Sequence, residues 1–412
     1  MKKSILFALV FPAIVLTGCG TSTLLRDRAE EAAALHRTMV TIDTHDDTPL
    51  AIVRKGIDVG MRHDPAQDEV KVDFPRMKEG GLDAAFFIAW IPQGPRTAEG
   101  NRKADSAVTA IIDTIHAVVA RNTGAAALAL TSADAARIKA EGKSAVYIGV
   151  ENGYAIGDSL ALIKKFYRLG ARYMTLCHTK NDDICDSSSD PDTVRSNGLS
   201  AFGKSVVGAM NDIGMIVDVS HISDKSFYDV IAVSKTPVVA THSNARAVCP
   251  HDRNMTDDMI TTLAKHGGVI QVSFVSEFVK LPVGNPGRDS AMNVLRQKYA
   301  HFDHPDSAQQ RAMRRERREL ERRFPQVLPT VADLVGHIDH IVKIAGIDHV
   351  GIGSDFDGGG EILGCSDVSM MKNITAELLT RGYSHEDCAK IWGGNFLRVF
   401  RQVEEFAHAG RN

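Results

Sequence analysis

Short apolar runs recur along the chain, and most of them end on a histidine or a carboxylate. Met39-Val40-Thr41-Ile42 is β-branched and apolar, reads as a short buried strand, and runs into Asp43-Thr44-His45-Asp46-Asp47 before Thr48-Pro49 stops it. Leu82 to Trp90 is the second strand, Ala145 to Val150 the third (ending at Glu151) and Arg172 to Leu176 the fourth (ending at Cys177-His178). Met215 to Val219 leads to His221, Val238 to Ala240 to His242, Val269 to Phe274 is the seventh strand, and Val350 to Ile352 leads to Asp355. Between them lie segments with apolar residues at helical spacing: Ala104 to Val119, a helix beginning at Thr131, Leu160 to Leu169, Leu199 to Asn211, Asp224 to Val233 and Asp257 to Lys265. Three more helices close the chain, about Val368 to Thr380, Ser384 to Trp392 and Asn395 to Phe406, with Trp392-Gly393-Gly394-Asn395 breaking one and capping the next.

Strand then helix, about eight times over, predicts a (β/α)8 TIM barrel, and strands apolar throughout fit a sheet buried on both faces. One stretch leaves the rhythm. Residues 285–324 are polar and rich in arginine with glutamates interleaved, which predicts a solvated helical insertion after strand seven, laced with i,i+4 pairs, that leans over the barrel mouth or serves subunit contacts.

His45, Asp47, Glu151, His178, His221, His242 and Asp355 all fall at or just past the C-terminal end of a predicted strand. Taken singly, each reads first as a satisfied polar core or turn residue. Their shared register is the rim where this fold places its chemistry. Nitrogen and carboxylate donors converging there suit a two-metal site: His45 and Asp47 on one ion, His221 and His242 on the other, Glu151 bridging. Asp355 is then placed to take a proton from water and pass it to a leaving amine, and His178 to stabilise an oxyanion. His337 and His340, three apart on a connecting helix, read as solvated, and Arg246 as either a carboxylate ligand or a loop residue.

Composition narrows the classes. The 412 residues are 44% hydrophobic and 24% charged with a net charge of −3, so neither a basic field nor the 6% aromatic content invites nucleic acid. Lys2 and Lys3 precede an apolar run, Ile5 to Leu16, that is too short for a spanning helix. Leu16-Thr17-Gly18-Cys19 resembles the lipobox of bacterial lipoproteins, which implies a signal peptide over 1–18, an acylated tether over 19–30 starting at Cys19, and one barrel domain over 31–412. Gly20 in place of Asp implies sorting to the outer membrane on its periplasmic face. Beyond Cys19 there are five cysteines, Cys177, Cys185, Cys249, Cys365 and Cys388, an odd number whose pairing stays open.

The pieces Asp43-Thr44-His45-Asp46-Asp47, Gly149-Val150-Glu151-Asn152-Gly153, Asp218-Val219-Ser220-His221, Thr241-His242-Ser243-Asn244-Ala245 and Gly351-Ile352-Gly353-Ser354-Asp355-Phe356-Asp357-Gly358 resemble, in that order, the renal (membrane) dipeptidases. The resemblance implies a metallodipeptidase with two Zn2+ per chain, active on dipeptides including those with a D-residue at the C-terminal side. It also implies that Arg253, with His178 and Asp355, grips the substrate, the arginine's fork suiting a C-terminal carboxylate. The partners expected are a dipeptide, the lipid anchor and, left open, a second copy in a homodimer. A lactam, cyclic-amide or ester hydrolase of the same fold, and a non-catalytic peptide-binding lipoprotein, are the competing readings.

Overall fold

The computed structural model describes residues 19–190, 195–299 and 307–410; the expected signal peptide lies outside them. Nine parallel strands form one sheet: β1 (Ile42–Asp46), β2 (Ala84–Trp90), β3 (Ala126–Leu128), β4 (Ser144–Glu151), β5 (Ala171–Thr175), β6 (Ile216–Asp218), β7 (Val239–Ala240), β8 (Val269–Val272) and β9 (Val350–Ile352). The path runs β1-β2-β4-β5-β6-β7-β8-β9, with the short β3, which the sequence reading did not anticipate, pairing at the side of β4. Eight strands thus curl into a nearly closed (β/α)8 barrel, as expected. The seam between β1 and β9 is stitched by backbone bonds past the strand ends, Asp355 N–H to His45 O at 3.0 Å and Asp47 N–H to Phe356 O at 2.8 Å. The Asp43 carboxylate adds a clasp, accepting from Ser354 N–H at 2.8 Å.

Alternation sorts each strand's side chains between the inside of the barrel and the helical shell. Ala84, Phe86 and Ile88 of β2, Ala145 and Tyr147 of β4 and Tyr173 of β5 share one buried cluster with Phe396, Val399, Phe400 and Val403 of the helix Asn395–Ala409. Phe86 stacks on Tyr147 at 4.8 Å and lies 5.1 Å from Tyr173, ring centre to ring centre. Gly149 is the residue that makes room, since a Cβ there would come within 2.5 Å of the Tyr173 ring. Continuing the same parity, 145, 147, 149, puts Glu151 inside at the upper rim.

Several local readings need correction. Pro49 ends the strand as expected but sits in the first turn of a helix, Thr48–Lys55, where a missing N–H costs nothing. Likewise Pro75 lies in the first turn of a helix, Phe74–Gly80. Trp392-Gly393-Gly394 does not break the helix; the backbone passes through a π turn, Lys390–Gly394, and continues. The insertion is two helices, Pro286–Tyr299 and Ser307–Arg323, joined across by Lys298–Glu316 at 2.6 Å, with the expected i,i+4 pair Arg317–Glu321 at 2.8 Å. Arg318 ties it to Glu69 at 2.9 Å. The segment expected as a tether belongs to the helix Cys19–Thr38, whose later turns bury Ala32, Leu35 and His36. No helix of the described residues is long and apolar enough to cross a membrane. All five remaining cysteines are buried, free thiols.

Candidate active site

At the C-terminal rim the strand ends bring together the residues that the sequence scatters over three hundred positions. His45, Glu151 and His242 form one group whose donor atoms lie within 4.8 Å of one another; Glu151, His178 and His221 form a second, and His45, Asp47 and Asp355 a third. Glu151 is common to the first two and uses its two oxygens differently. Oε2 faces His45 Nε2 at 3.4 Å, while Oε1 faces His221 Nε2 at 2.9 Å and His242 Nε2 at 3.5 Å. A carboxylate splayed between two nitrogen sets has the geometry of a bridge.

The imidazoles are oriented from behind. Tyr173 donates its hydroxyl proton to Thr44 O at 3.0 Å, so it accepts from His45 Nδ1–H at 2.9 Å and holds Nε2 pointing into the site. Thr241 Oγ donates to Asp218 Oδ2 at 2.7 Å and accepts from His242 Nδ1–H at 2.9 Å, with the same result. His242 Nε2 and His221 Nε2 then meet at 2.8 Å, converging on one spot. Burial first, and then the cationic field of neighbours, drives both of these histidines well below the usual imidazole range, which keeps them neutral as ligands must be.

The rim is rich in negative charge for so dry a place. Burial and the nearby Glu151 push Asp47 well above the carboxylate range, and burial pushes Asp355 up to about 7, with Glu151 adding and His45 and Arg253 opposing. Burial opposes protonation of His45, yet Glu151, Asp47 and Asp355 push it up to about 10. Glu151 is itself penalised by burial but held well below its normal value by His45, His178 and His221. Such a set attracts positive charge. His45 Nε2 and Asp47 Oδ1 are buried with no hydrogen-bond partner, and these are the atoms a cation would engage. The donor set therefore fits divalent metal.

His221 and Asp355 both hold positive φ, 70° and 60°, a conformation that costs about 1–3 kcal/mol in a non-glycine residue and collects at functional sites. Gly358 lets the following loop close on the carboxylates: a Cβ there would lie 2.1 Å from Asp47 Oδ2 and 2.2 Å from Asp355 Oδ1. His178 is partly open, its Nε2 3.8 Å from Glu151, and burial lowers its pKa. Arg253 is buried beneath the site, donating to His242 O at 3.2 Å and lying over the Phe278 ring, with its Nε unpartnered. These groups line a cavity of about 410 Å³ that opens past Trp90, Leu50 and Arg54.

Of the seven rim residues expected from the sequence, Asp47, Glu151, His178, His221 and Asp355 line this cavity with Arg253, and His45 and His242 join them through Glu151. Asp43, two residues before His45, does not join them, because a register shift between Asp43 and Asp46 breaks the alternation. His337 is not solvated: it is buried, with Ala245 N–H donating to Nδ1 at 3.2 Å and Nε2 bonded to Val279 O at 2.8 Å. His340 pairs with Asp257. Arg246 takes the loop role, forked onto Asp224 at 2.7 Å. Tyr173 and the Asp218–Thr241 pair were missed. Strand parity alone pointed to the first, and the second sat unrecognised inside quoted motifs.

The chain matches the membrane dipeptidase family, peptidase family M19, over residues 29–412. It belongs to that family. Among its relatives, Dipeptidase tcpJ of Claviceps purpurea is 32% identical over 352 residues, 84% of this chain and 72% of that one. The crystal structure of the probable dipeptidase PvdM from Pseudomonas aeruginosa superposes with a TM-score of 0.79 at 31% identity, covering 93% of this chain and all of the other. A metallo peptidase from Rhodobacter sphaeroides, solved with a phosphinate mimic of the dipeptide L-Ala-D-Ala, shares the fold at 23% identity and a TM-score of 0.69 over 89% of this chain and 99% of its own. The enzyme class expected from the sequence, a metallodipeptidase, is the one this membership gives.

Proposed function

We propose that this M19 dipeptidase hydrolyses dipeptides with two zinc ions, one held by His45 and Asp47, the other by His221 and His242, and both by Glu151. The observation that carries the reading is the division of the two Glu151 oxygens between His45 on one side and the His221–His242 pair on the other. When bound, the ions supply Lewis acidity, lowering the pKa of water and polarising the scissile carbonyl. Asp355 faces the same space, where its carboxylate accepts the proton of the attacking water and returns it to the leaving amine. His178, neutral and partly open to the cavity, donates to the developing oxyanion. Arg253 presents its unpartnered Nε to the substrate's C-terminal carboxylate, a charge-assisted contact out of water.

We extend the proposal to dipeptides with a D-residue at the C-terminal side, which the L-Ala-D-Ala mimic on the Rhodobacter relative supports. We also propose, from the Leu16–Cys19 motif, that the enzyme is held to the bacterial envelope by lipid on Cys19. The test is metal analysis together with a panel of L,L and L,D dipeptides, β-lactams and lactones. Two zinc per chain and preference for free dipeptides support the reading; turnover confined to lactams or lactones, or none after zinc addition, removes it.

A further inference from the structure

A second cavity, about 640 Å³ and larger than the active site, opens at the opposite end of the barrel, among the residues that lead into β2, β3 and β4. Arg37, Lys78, Lys139, Lys143 and Lys372 line it, against a single lining carboxylate, Asp83. Two of the five are neutralised nearby. Lys139 pairs with Asp83 at 2.7 Å and also donates to the carbonyls of His36 and Met39, and Lys143 pairs with Glu141 at 3.1 Å. Lys78, Lys372 and Arg37 form no ion pair among the described residues; Arg37 donates only to Ala33 O. The cavity therefore keeps three uncompensated positive charges brought together from three separate helices. Behind them the wall is apolar, formed by Phe74, Leu82 and Ala125.

We propose that this cavity binds a phosphate-bearing anion. Lysine ammonium groups hold a multiply charged phosphate as point charges, and the Arg37 fork matches phosphate oxygens as well. The volume exceeds what phosphate alone fills and lies in the range of organic-ligand pockets, so the apolar wall takes an organic portion. His36 reports the field in the same place. Burial first, then Lys372 and Lys139, lower its pKa to about 4, so it contributes no charge, and both its ring nitrogens are occupied by Gly81 O and Thr375 Oγ. The two sources of such a ligand are a soluble phosphate ester and a phospholipid headgroup.

The test uses the full chain and three probes: inorganic phosphate, glycerol phosphate, and phosphatidylcholine vesicles with and without phosphatidylglycerol. Calorimetry is expected to show saturable binding to at least one of them that weakens about tenfold or more in Lys78→Glu/Lys372→Glu and is unchanged in Lys103→Glu, an exposed lysine paired with Glu99. Loss seen with glycerol phosphate identifies a soluble ester. Loss seen only with phosphatidylglycerol vesicles identifies a lipid headgroup. The proposal is overturned if the wild type binds no probe saturably, or if the double variant binds all of them as the wild type does. Dipeptide turnover, measured on the same samples, stays unchanged and shows that the variant is folded.

Discussion

At the C-terminal rim the carboxylates of Asp47, Glu151 and Asp355 are buried against one another, while at the N-terminal rim Lys78 and Lys372 edge a cavity with part of their surface in water. The upper charges have been stripped of solvent and left without full compensation inside the protein; the lower ones remain screened. Coulomb energies grow several-fold between these two settings, so equal changes of charge have unequal consequences. The sharpest way to expose the contrast is Glu151→Gln. The amide keeps the shape but offers one acceptor oxygen and no charge, so it cannot serve both nitrogen sets. Turnover is expected to fall by about 10³-fold or more, the equivalent of roughly 4 kcal/mol of transition-state stabilisation, with bound zinc falling below two per chain. Wild-type zinc content and rate in that variant would remove the bridge.

Two further substitutions separate chemistry from binding within the upper rim. Asp355→Asn is expected to retain the metal while losing about 10²–10⁴ in kcat, the usual worth of a positioned acid–base group. Wild-type rates would cancel its proton-transfer role. Arg253→Ala should raise KM about 10–100-fold for dipeptides with a free carboxylate, and much less for their C-terminal amides, since only the former lose a charged contact. Equal effects on both substrates would show that Arg253 supports the His242 backbone and does not read the carboxylate.

The contrast between the rims also explains what could be read in advance. The barrel and its catalytic edge were legible because each strand is an apolar run and each ligand stands at its end, so one register carried both fold and chemistry. What escaped depends on contacts between distant segments. The shift in β1 that turns Asp43 away is imposed by pairing with β2 and by the Ser354 clasp, neither of which leaves a local mark. His337 is buried because Ala245 and Val279 offer it two backbone partners, whereas its own helix reads as amphipathic and open. The π turn at Trp392 is held by a tertiary bond, Nε1–H to Thr375 Oγ at 2.7 Å, that overrides two glycines. The lower cavity has no motif at all: its cations come one at a time from unrelated helices.

The last expected effect concerns stability at the lower rim and isolates a single buried group. His36 has a folded-state pKa of about 4, depressed from 6.5 mainly by burial. Between those two values the unfolded chain binds a proton that the folded one refuses, so stability is retained above pH 6.5 and lost as pH falls toward 4. The whole span is worth about 3 kcal/mol at most, at 1.36 kcal/mol per pKa unit. His36→Gln keeps a polar side chain and titrates nowhere in that window. Its urea midpoint should start lower than the wild type's at pH 7, because the bonds to Gly81 and Thr375 are disturbed, but the gap should close as pH falls from 6.5 to 4.5. Parallel curves would mean that His36 is protonated in the folded protein or that its neighbours relax around the charge, and the lower rim would then be wetter than its burial indicates.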